Sequence, residues 1–118
     1  MLFITIHLVL GPTTRGLLGE NDLRRMRRSA FLINTSRAAI VDQTALVKAL
    51  GEGWIAGAGL DVFEQEPLPA DHPFRKLPNV LALPHLGYVS ESNYRIFSGE
   101  AVEDIEAWLN GSPIRELQ

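Results

Sequence analysis

The chain has 118 residues, 46% of them hydrophobic, and its 11 basic and 14 acidic side chains give a formal net charge of −3. This length suits one domain, which buries roughly 65% of the surface that its unfolded chain exposes. The acidic balance argues against a nucleic-acid partner, because phosphate binding needs a basic face. The absence of cysteine excludes disulfide scaffolds, cysteine nucleophiles and thiolate metal sites.

The apolar N-terminal segment is not expected to be a targeting signal. It lacks the positive region and the small-residue cleavage site of a signal peptide, and it is far shorter than a membrane span. We therefore expect a soluble, cytoplasmic protein with no membrane partner. No pair of histidines has metal-ligand spacing, so we also expect no metal.

Short apolar runs bounded by turn-forming residues predict the strands. There are four such runs, at residues 2–10, 30–34, 55–63 and 80–83. The first is apolar nearly throughout, as strands buried on both faces are. In the third, Gly57 and Gly59 indicate that something approaches the backbone closely. The three prolines Pro67, Pro69 and Pro73 predict a loop.

Three segments of helical periodicity alternate with these runs. The first is short and begins near Gly19, with Asn21 or Asp22 as its cap. The second is capped by Asp42 and ends at Gly51 and Gly53. Its predicted buried residues are Ala45, Leu46, Ala49 and Leu50. The last helix is long, begins at Ser90 and ends at Gly111 and Pro113. Its predicted buried stripe is Tyr94, Phe97, Ala101, Ile105 and Trp108.

This alternation predicts an α/β fold with a parallel sheet of about four strands, crossover helices and a long C-terminal helix. Ligands of such sheets bind beyond the carboxyl ends of the strands. Arg37, Glu66 and His85 follow the second, third and fourth strands, so they are expected at one rim. An arginine can fork onto a substrate carboxylate, and a histidine beside a carboxylate can exchange a hydroxyl proton. The set suits hydride transfer to or from a hydroxy acid.

Three motifs carry a family resemblance. They are Ile33-Asn34-Thr35-Ser36-Arg37, Gly57-Ala58-Gly59-Leu60-Asp61-Val62-Phe63-Glu64-Gln65-Glu66-Pro67 and Leu83-Pro84-His85-Leu86-Gly87-Tyr88. Arg37 precedes Glu66 by 29 positions, and Glu66 precedes His85 by 19. In these motifs and their spacing the chain resembles the D-isomer-specific 2-hydroxyacid dehydrogenase family, from about Ile4 to Pro113.

The resemblance implies an NAD-dependent oxidoreductase, with NADP left open, acting on small 2-hydroxy or 2-keto acids. It implies that Arg37 binds the substrate carboxylate and carbonyl, that His85 is the acid/base and that Glu66 is its partner. It also implies that Asp61 contacts the nicotinamide carboxamide. The remaining cofactor-lining residues that it implies are His7, Leu8, Val9, Thr35, Ser36, Arg37, His85, Leu86 and Gly87.

The chain departs from the family pattern in two places. Ala38 stands where the family usually has glycine, which would cost about 1 kcal/mol if the position needs a positive φ. The substrate domain and the half of the nucleotide domain with the G-x-G-x-x-G turn have no counterpart. Residues 1–118 therefore resemble the nicotinamide half of a Rossmann domain, a partial NAD-binding domain. We expect the isolated chain to be inactive and to bind NADH more weakly than about 1 mM.

A second hypothesis is a non-catalytic module that retains the dehydrogenase fold for self-association or partner binding. The intact Arg37, Glu66 and His85 favour the enzyme, and the missing glycine-rich turn favours the module. His72 and the arginines of residues 24–28 are interpreted as surface residues. The uncharged strand from Leu2 to Leu10 would present an unpaired edge, which predicts a homo-oligomer, most simply a two-fold dimer, formed through that edge.

Overall fold

The computed structural model describes residues 1–117. It divides into two compact units, residues 1–86 and the residues from Gly87 onward. The first unit contains a four-stranded parallel sheet in the order β1-β2-β3-β4. The strands are β1 (Leu2–Ile6), β2 (Ala30–Asn34), β3 (Gly57–Leu60) and β4 (Val80–Ala82). The predicted α/β parallel sheet is confirmed.

Two α-helices and two 3₁₀ turns connect the strands. They are α1 (Glu20–Arg25), a 3₁₀ turn at Ala38–Ile40, α2 (Gln43–Gly51) and a 3₁₀ turn at Pro73–Arg75. The core lies between the sheet and these helices, and its most deeply buried large side chains are Leu23, Leu32, Ile40 and Ile55. All four predicted core residues of α2 are buried.

The helix caps explain where the helices begin. Asp42 caps α2 by accepting the backbone N–H of Ala45 at 3.0 Å, as predicted. The prediction that Asn21 or Asp22 is the N-cap of α1 was wrong, because Gly19 is its N-cap residue. Asp22 acts from inside the first turn, where its carboxylate accepts the backbone N–H of Gly19 at 3.0 Å. This is the reciprocal half of a capping box, which a glycine cap cannot complete with a side chain.

The strands are shorter than the apolar runs that predict them. β1 ends at Ile6, and Leu8 and Val9 are exposed, so the prediction of a strand from Leu2 to Leu10 buried on both faces was wrong. β1 pairs with β2 through Asn34, opposite Ile6, and β2 ends there. A strand without a partner to continue its ladder stops, however apolar the next residues are.

The two strand glycines are sites of close approach, as expected. A Cβ at Gly57 would lie 2.7 Å from the Asn79 carbonyl oxygen, and one at Gly59 would lie 3.0 Å from the Ile33 side chain. The approaching groups belong to the protein itself.

The second unit is built on α3 (Glu91–Leu109), the predicted long C-terminal helix. Ser90 caps it by accepting the backbone N–H of Asn93 at 3.3 Å, and Gly111 follows it with a φ of +74°. No residue of α3 is buried, so the predicted buried stripe is wrong for this chain. Residues 87–117 contain no other helix or strand on which that stripe could pack.

Candidate active site

Side chains that follow the four strands meet at the carboxyl edge of the sheet in the first unit. Residues 7–9 follow β1, residues 35–37 follow β2, Asp61 follows β3 and His85 follows β4. Because all four strands are parallel, their carboxyl ends share one edge. The predicted rim of polar residues therefore exists in the fold.

His85 and Glu66 form a hydrogen-bonded pair at this rim. Nδ1 of His85 lies 2.8 Å from Oε2 of Glu66. A carboxylate only accepts hydrogen bonds, so Nδ1 carries the proton. The other carboxylate oxygen, Oε1, accepts the backbone N–H of Phe63 at 2.9 Å. Glu66 is thus fixed by a backbone donor on one side and fixes the imidazole on the other, which leaves Nε2 as the nitrogen turned away from the pair.

The surroundings of Glu66 favour its ionised form. The hydrogen bond with His85 is the largest cause that holds the pKa of Glu66 below its ordinary value of 4.5. The Phe63 N–H and the charges of His85 and Arg37 lower this pKa further, and partial burial opposes them. The charge of Arg37 is the last of these causes and favours the ionised form of Glu66.

His85 has an unusual backbone conformation. Its φ is +56°, one of two positive values at non-glycine residues in the described part of the chain. This left-handed region disfavours residues with a Cβ, and such strain costs on the order of 1 kcal/mol. The backbone N–H of His85 donates to the carbonyl of Leu83 at 3.0 Å, which closes a tight turn around Pro84. The turn directs the imidazole towards Glu66.

Asn34, the last residue of β2, organises the loop that carries Arg37. Its buried side chain accepts the backbone N–H of Ser36 at 3.0 Å and donates to the carbonyl of Arg37 at 3.0 Å. Arg37 is exposed, and its Nη1 donates to the carbonyl of Ser36 at 2.7 Å. Asn34 was not among the predicted site residues. An Asn two positions before a Ser at a strand end is a local turn signal that could have identified it.

The alanine at position 38, where the family usually has glycine, causes no backbone strain in this fold. Ala38 opens a 3₁₀ turn, and it is not among the residues with a positive φ. Arg37 before it is extended, with φ −143° and ψ 137°. The condition under which alanine would have been costly is therefore not met.

The loops after β1 and β2 are bonded to each other. The hydroxyl of Ser36 donates to the carbonyl of Leu8. The carbonyl of Val9 accepts the hydroxyl of Thr14 at 2.7 Å, which anchors the next turn. His7 is exposed, with Nε2 3.0 Å from the hydroxyl of Thr5, and Thr35 is also exposed. A hydrogen bond thus joins the two loops that contain the expected cofactor-lining residues.

Asp61 is a buried carboxylate, 3% exposed, at the end of β3. Its Oδ1 accepts the backbone N–H of Leu86 at 2.7 Å, which ties the end of β3 to the turn after His85. Gly87, which was also expected to line the cofactor, belongs to the second unit and is exposed there.

An open cleft of about 560 Å³ lies beside the His85–Glu66 pair. Its walls are largely apolar, and the charged or ionisable side chains that line it are Glu66, Arg75 and His85. The remaining lining residues are Phe63, Pro67, Leu68, Ala82, Leu83 and Pro84. A pocket of this size and character suits a small organic ligand.

Gln43 and His72 support the segment that bears Glu66, and sequence reasoning missed this contact. Gln43 Oε1 accepts the backbone N–H of Glu64 at 3.3 Å, and its Nε2 lies 3.2 Å from Nε2 of His72. His72 is half-buried, not a surface residue as expected, and its Nδ1 accepts the backbone N–H of Phe74 at 3.1 Å. The contact between Gln43 and His72 joins residues 29 positions apart, which no local motif indicates.

Two absences in the part of the chain that the structure describes bear on the site. Residues 1–117 contain no group of three or more His, Cys, Asp or Glu side chains that could hold a metal ion. No helix in the described part of the chain is both long and apolar enough to cross a membrane.

Comparison with known families decides the membership of the chain. The NAD binding domain of the D-isomer specific 2-hydroxyacid dehydrogenases matches residues 1–87. The chain belongs to this family. Within that domain, Asp61 and the Glu66–His85 pair occupy the ends of parallel strands and the loops that follow them, so the family resemblance seen in the motifs is confirmed.

Individual members of the dehydrogenase family align along most of the chain. A glyoxylate reductase from Korarchaeum cryptofilum is 50% identical over 109 residues, which are 92% of this chain and 33% of that protein. The structure of a phosphoglycerate oxidoreductase from Vibrio cholerae has a TM-score of 0.87 and 37% identity, covering 92% of this chain and 35% of the other.

A third member, the D-lactate dehydrogenase of Lactobacillus jensenii with NAD⁺, has a TM-score of 0.83 and 30% identity. That match covers 98% of this chain and 39% of the other. The chain thus spans about a third of the length of the curated relatives that it matches.

Proposed function

We propose that residues 1–118 form the nicotinamide-binding and catalytic part of an NAD(P)-dependent dehydrogenase that interconverts D-2-hydroxy acids and 2-keto acids. The observation that carries the proposal is the Glu66–His85 pair, 2.8 Å apart beside a cleft, with Arg37 after a strand that ends at the same edge of the sheet. A proton-exchanging group, its carboxylate partner and a cation for an acidic substrate are the parts that this reaction needs.

The rim fits the nicotinamide end of the cofactor. Asp61 offers a buried carboxylate, which is the acceptor that a carboxamide N–H₂ requires. The connected loops of His7, Leu8, Val9, Thr35 and Ser36 would line the cofactor, together with Arg37, His85 and Leu86. When bound, the nicotinamide exchanges a hydride with C2 of the acid.

His85 moves the proton in this proposal. Because Nδ1 donates to Glu66, Nε2 faces the substrate and gives its proton to the C2 oxygen during reduction. The negative charge of Glu66 stabilises the protonated imidazole and fixes its plane. In the oxidation direction, the neutral Nε2 accepts the same proton.

Arg37 binds the substrate in this proposal. A guanidinium can donate two parallel hydrogen bonds to a carboxylate and can polarise the adjacent carbonyl. Asn34 acts as a positioning residue, since its side chain holds the backbone N–H of Ser36 and the carbonyl of Arg37.

A chimera tests the proposal. In it, this chain replaces the matching 109 residues of the Korarchaeum glyoxylate reductase. We expect NADH oxidation that depends on a 2-keto acid. A chimera that folds, binds NADH and oxidises none of it with any 2-keto acid would overturn the proposed function.

We also propose that the chain self-associates through the edge of β1. This edge is the strand Leu2–Ile6 and not the longer segment from Leu2 to Leu10 that the sequence predicted. β1 pairs with β2 alone among the described strands, and Leu2 and Phe3 are 41% and 57% exposed. An uncharged apolar edge of this kind favours pairing with a second copy. We place the protein in the cytoplasm, where NAD and small keto acids are available to it.

A further inference from the structure

The cleft beside His85 contains a cation that the proposed chemistry does not use. Arg75 lines this cleft together with Glu66 and His85. It lies at the end of the 3₁₀ turn Pro73–Arg75, in the loop between β3 and β4. Arg75 lies outside the three sequence motifs that carry the family resemblance.

The guanidinium of Arg75 is held in place by the backbone. Its Nε donates to the carbonyl of Pro69 at 2.9 Å, and its Nη2 donates to the carbonyl of Leu68 at 2.7 Å. These bonds restrict the long side chain to one orientation before any ligand arrives. A preorganised guanidinium loses less conformational entropy on binding than a mobile one does.

The charge of Arg75 is not neutralised by the protein. The ion pairs of residues 1–117 do not include it, and its bonds are to neutral carbonyls. Glu66, the carboxylate that lines the cleft, is hydrogen-bonded to His85 and forms no ion pair with Arg75. Arg75 is therefore a cation of this cleft that no carboxylate of the described residues pairs with.

We propose that Arg75 is a specificity-determining residue, which selects 2-keto and 2-hydroxy acids that carry a second anionic group at the far end of the molecule. The inference rests on the proposed function for the position of the first carboxylate, which binds Arg37 while C2 faces His85. The rest of the substrate then occupies the apolar cleft, and a terminal carboxylate or phosphate binds the guanidinium of Arg75.

Two acids of equal carbon number test this selectivity. 2-Oxoglutarate and 2-oxopentanoate differ in that a terminal carboxylate replaces a terminal methyl group. Each is titrated into the 118-residue chain, and binding is followed by the NMR resonances of the His85 ring. We expect a Kd for 2-oxoglutarate at least about tenfold lower than that for 2-oxopentanoate, as a charge-assisted hydrogen bond provides.

Three variants separate charge recognition from a purely structural role. Arg75→Met is expected to raise the Kd of 2-oxoglutarate to that of 2-oxopentanoate, whereas Arg75→Lys keeps part of the preference. Lys76→Met removes the neighbouring cation, which does not line the cleft, and keeps the full preference. Equal affinities in the wild type, no binding of either acid, or equal weakening of both acids by Arg75→Met would overturn the inference.

Binding to the chain and turnover by the chimera are independent measurements. A chimera that reduces glyoxylate, combined with a chain that shows no preference, contradicts the role of Arg75 and leaves the dehydrogenase proposal standing. An inactive chimera, combined with an Arg75-dependent preference, contradicts the dehydrogenase proposal alone.

Discussion

The carboxylate of Asp61 and the backbone N–H of Leu86 are 2.7 Å apart, and their hydrogen bond joins the end of β3 to the turn that bears His85. Because Asp61 is buried, removing its side chain leaves the Leu86 N–H without this acceptor. The bond thus couples the stability of the fold to the geometry of the candidate active site.

Substitution of Asp61 tests this coupling. We expect Asp61→Ala to lower the free energy of unfolding by about 1–3 kcal/mol, the usual cost of an orphaned buried hydrogen-bonding group. Asp61→Asn retains an oxygen acceptor and should cost less. Urea denaturation of both variants measures the difference, and equal losses would show that the bond to Leu86 is not the source of the stability.

The contact between Gln43 and His72 offers a stabilising substitution. Backbone N–H groups of Glu64 and Phe74 point at the two ends of the Gln43–His72 pair. A neutral imidazole and an amide each have one donating and one accepting side. With both accepting atoms bonded to backbone N–H groups, the two donating nitrogens, Nε2 of Gln43 and Nε2 of His72, face each other. Gln43→Glu supplies acceptors on both sides and places an acid in the first turn of α2.

We expect Gln43→Glu to raise the free energy of unfolding by about 1 kcal/mol and Gln43→Ala to lower it. Thermal melts of both variants at neutral pH test this expectation. A destabilised Gln43→Glu protein would mean that repulsion from the nearby Glu64 and Glu66 exceeds the gain in hydrogen bonding.

Glu66 gives the fold a dependence on pH with a definite sign. The pKa of Glu66 in the folded chain lies below its ordinary value of 4.5, chiefly because His85 bonds to the carboxylate. Its contribution to stability is therefore present above pH 4.5 and is lost as the pH falls through the lower, folded-state pKa. The pair is partly exposed, so solvent screens it and the effect is modest.

We expect wild type to be more stable than Glu66→Gln at pH 7, with a difference that shrinks steadily below pH 4.5. Denaturant unfolding of both proteins across this range measures it, and the titrating groups that do not interact with Glu66 cancel in the comparison. A difference that is constant with pH would contradict the ionic part of the Glu66–His85 interaction.

How much of the fold could be predicted depends on how close in sequence the interacting residues are. Asp42 and Ser90 were identified as caps because a short polar side chain acts within three residues of its own position. Arg37, Glu66 and His85 were identified because the motifs around them resemble those of a known family. The end of β1, the positive φ of His85 and the bond between Gln43 and His72 depend on partners that are distant in sequence. The exposure of the α3 stripe likewise depends on what lies beside it, which periodicity alone does not reveal.

The exposed β1 edge gives a prediction about assembly. Sedimentation of the wild-type chain at micromolar concentration is expected to show a dimer, and Phe3→Lys is expected to dissociate it. Leu81→Lys places the same charge on β4, at the opposite edge of the sheet, and should leave the dimer intact. A monomeric wild type, or dissociation by Leu81→Lys and not by Phe3→Lys, would contradict pairing through β1.

Steady-state kinetics of His85→Ala in the glyoxylate reductase chimera tests the central claim most directly. The control is Lys48→Ala, which truncates an exposed side chain of α2 outside the rim and should retain turnover within a few-fold. If His85 transfers the proton, His85→Ala lowers kcat about 10²–10⁴-fold while the KM for glyoxylate, set by Arg37, changes little. A His85→Ala chimera that folds and keeps kcat within a few-fold of its parent would contradict the assignment of His85 as the acid/base.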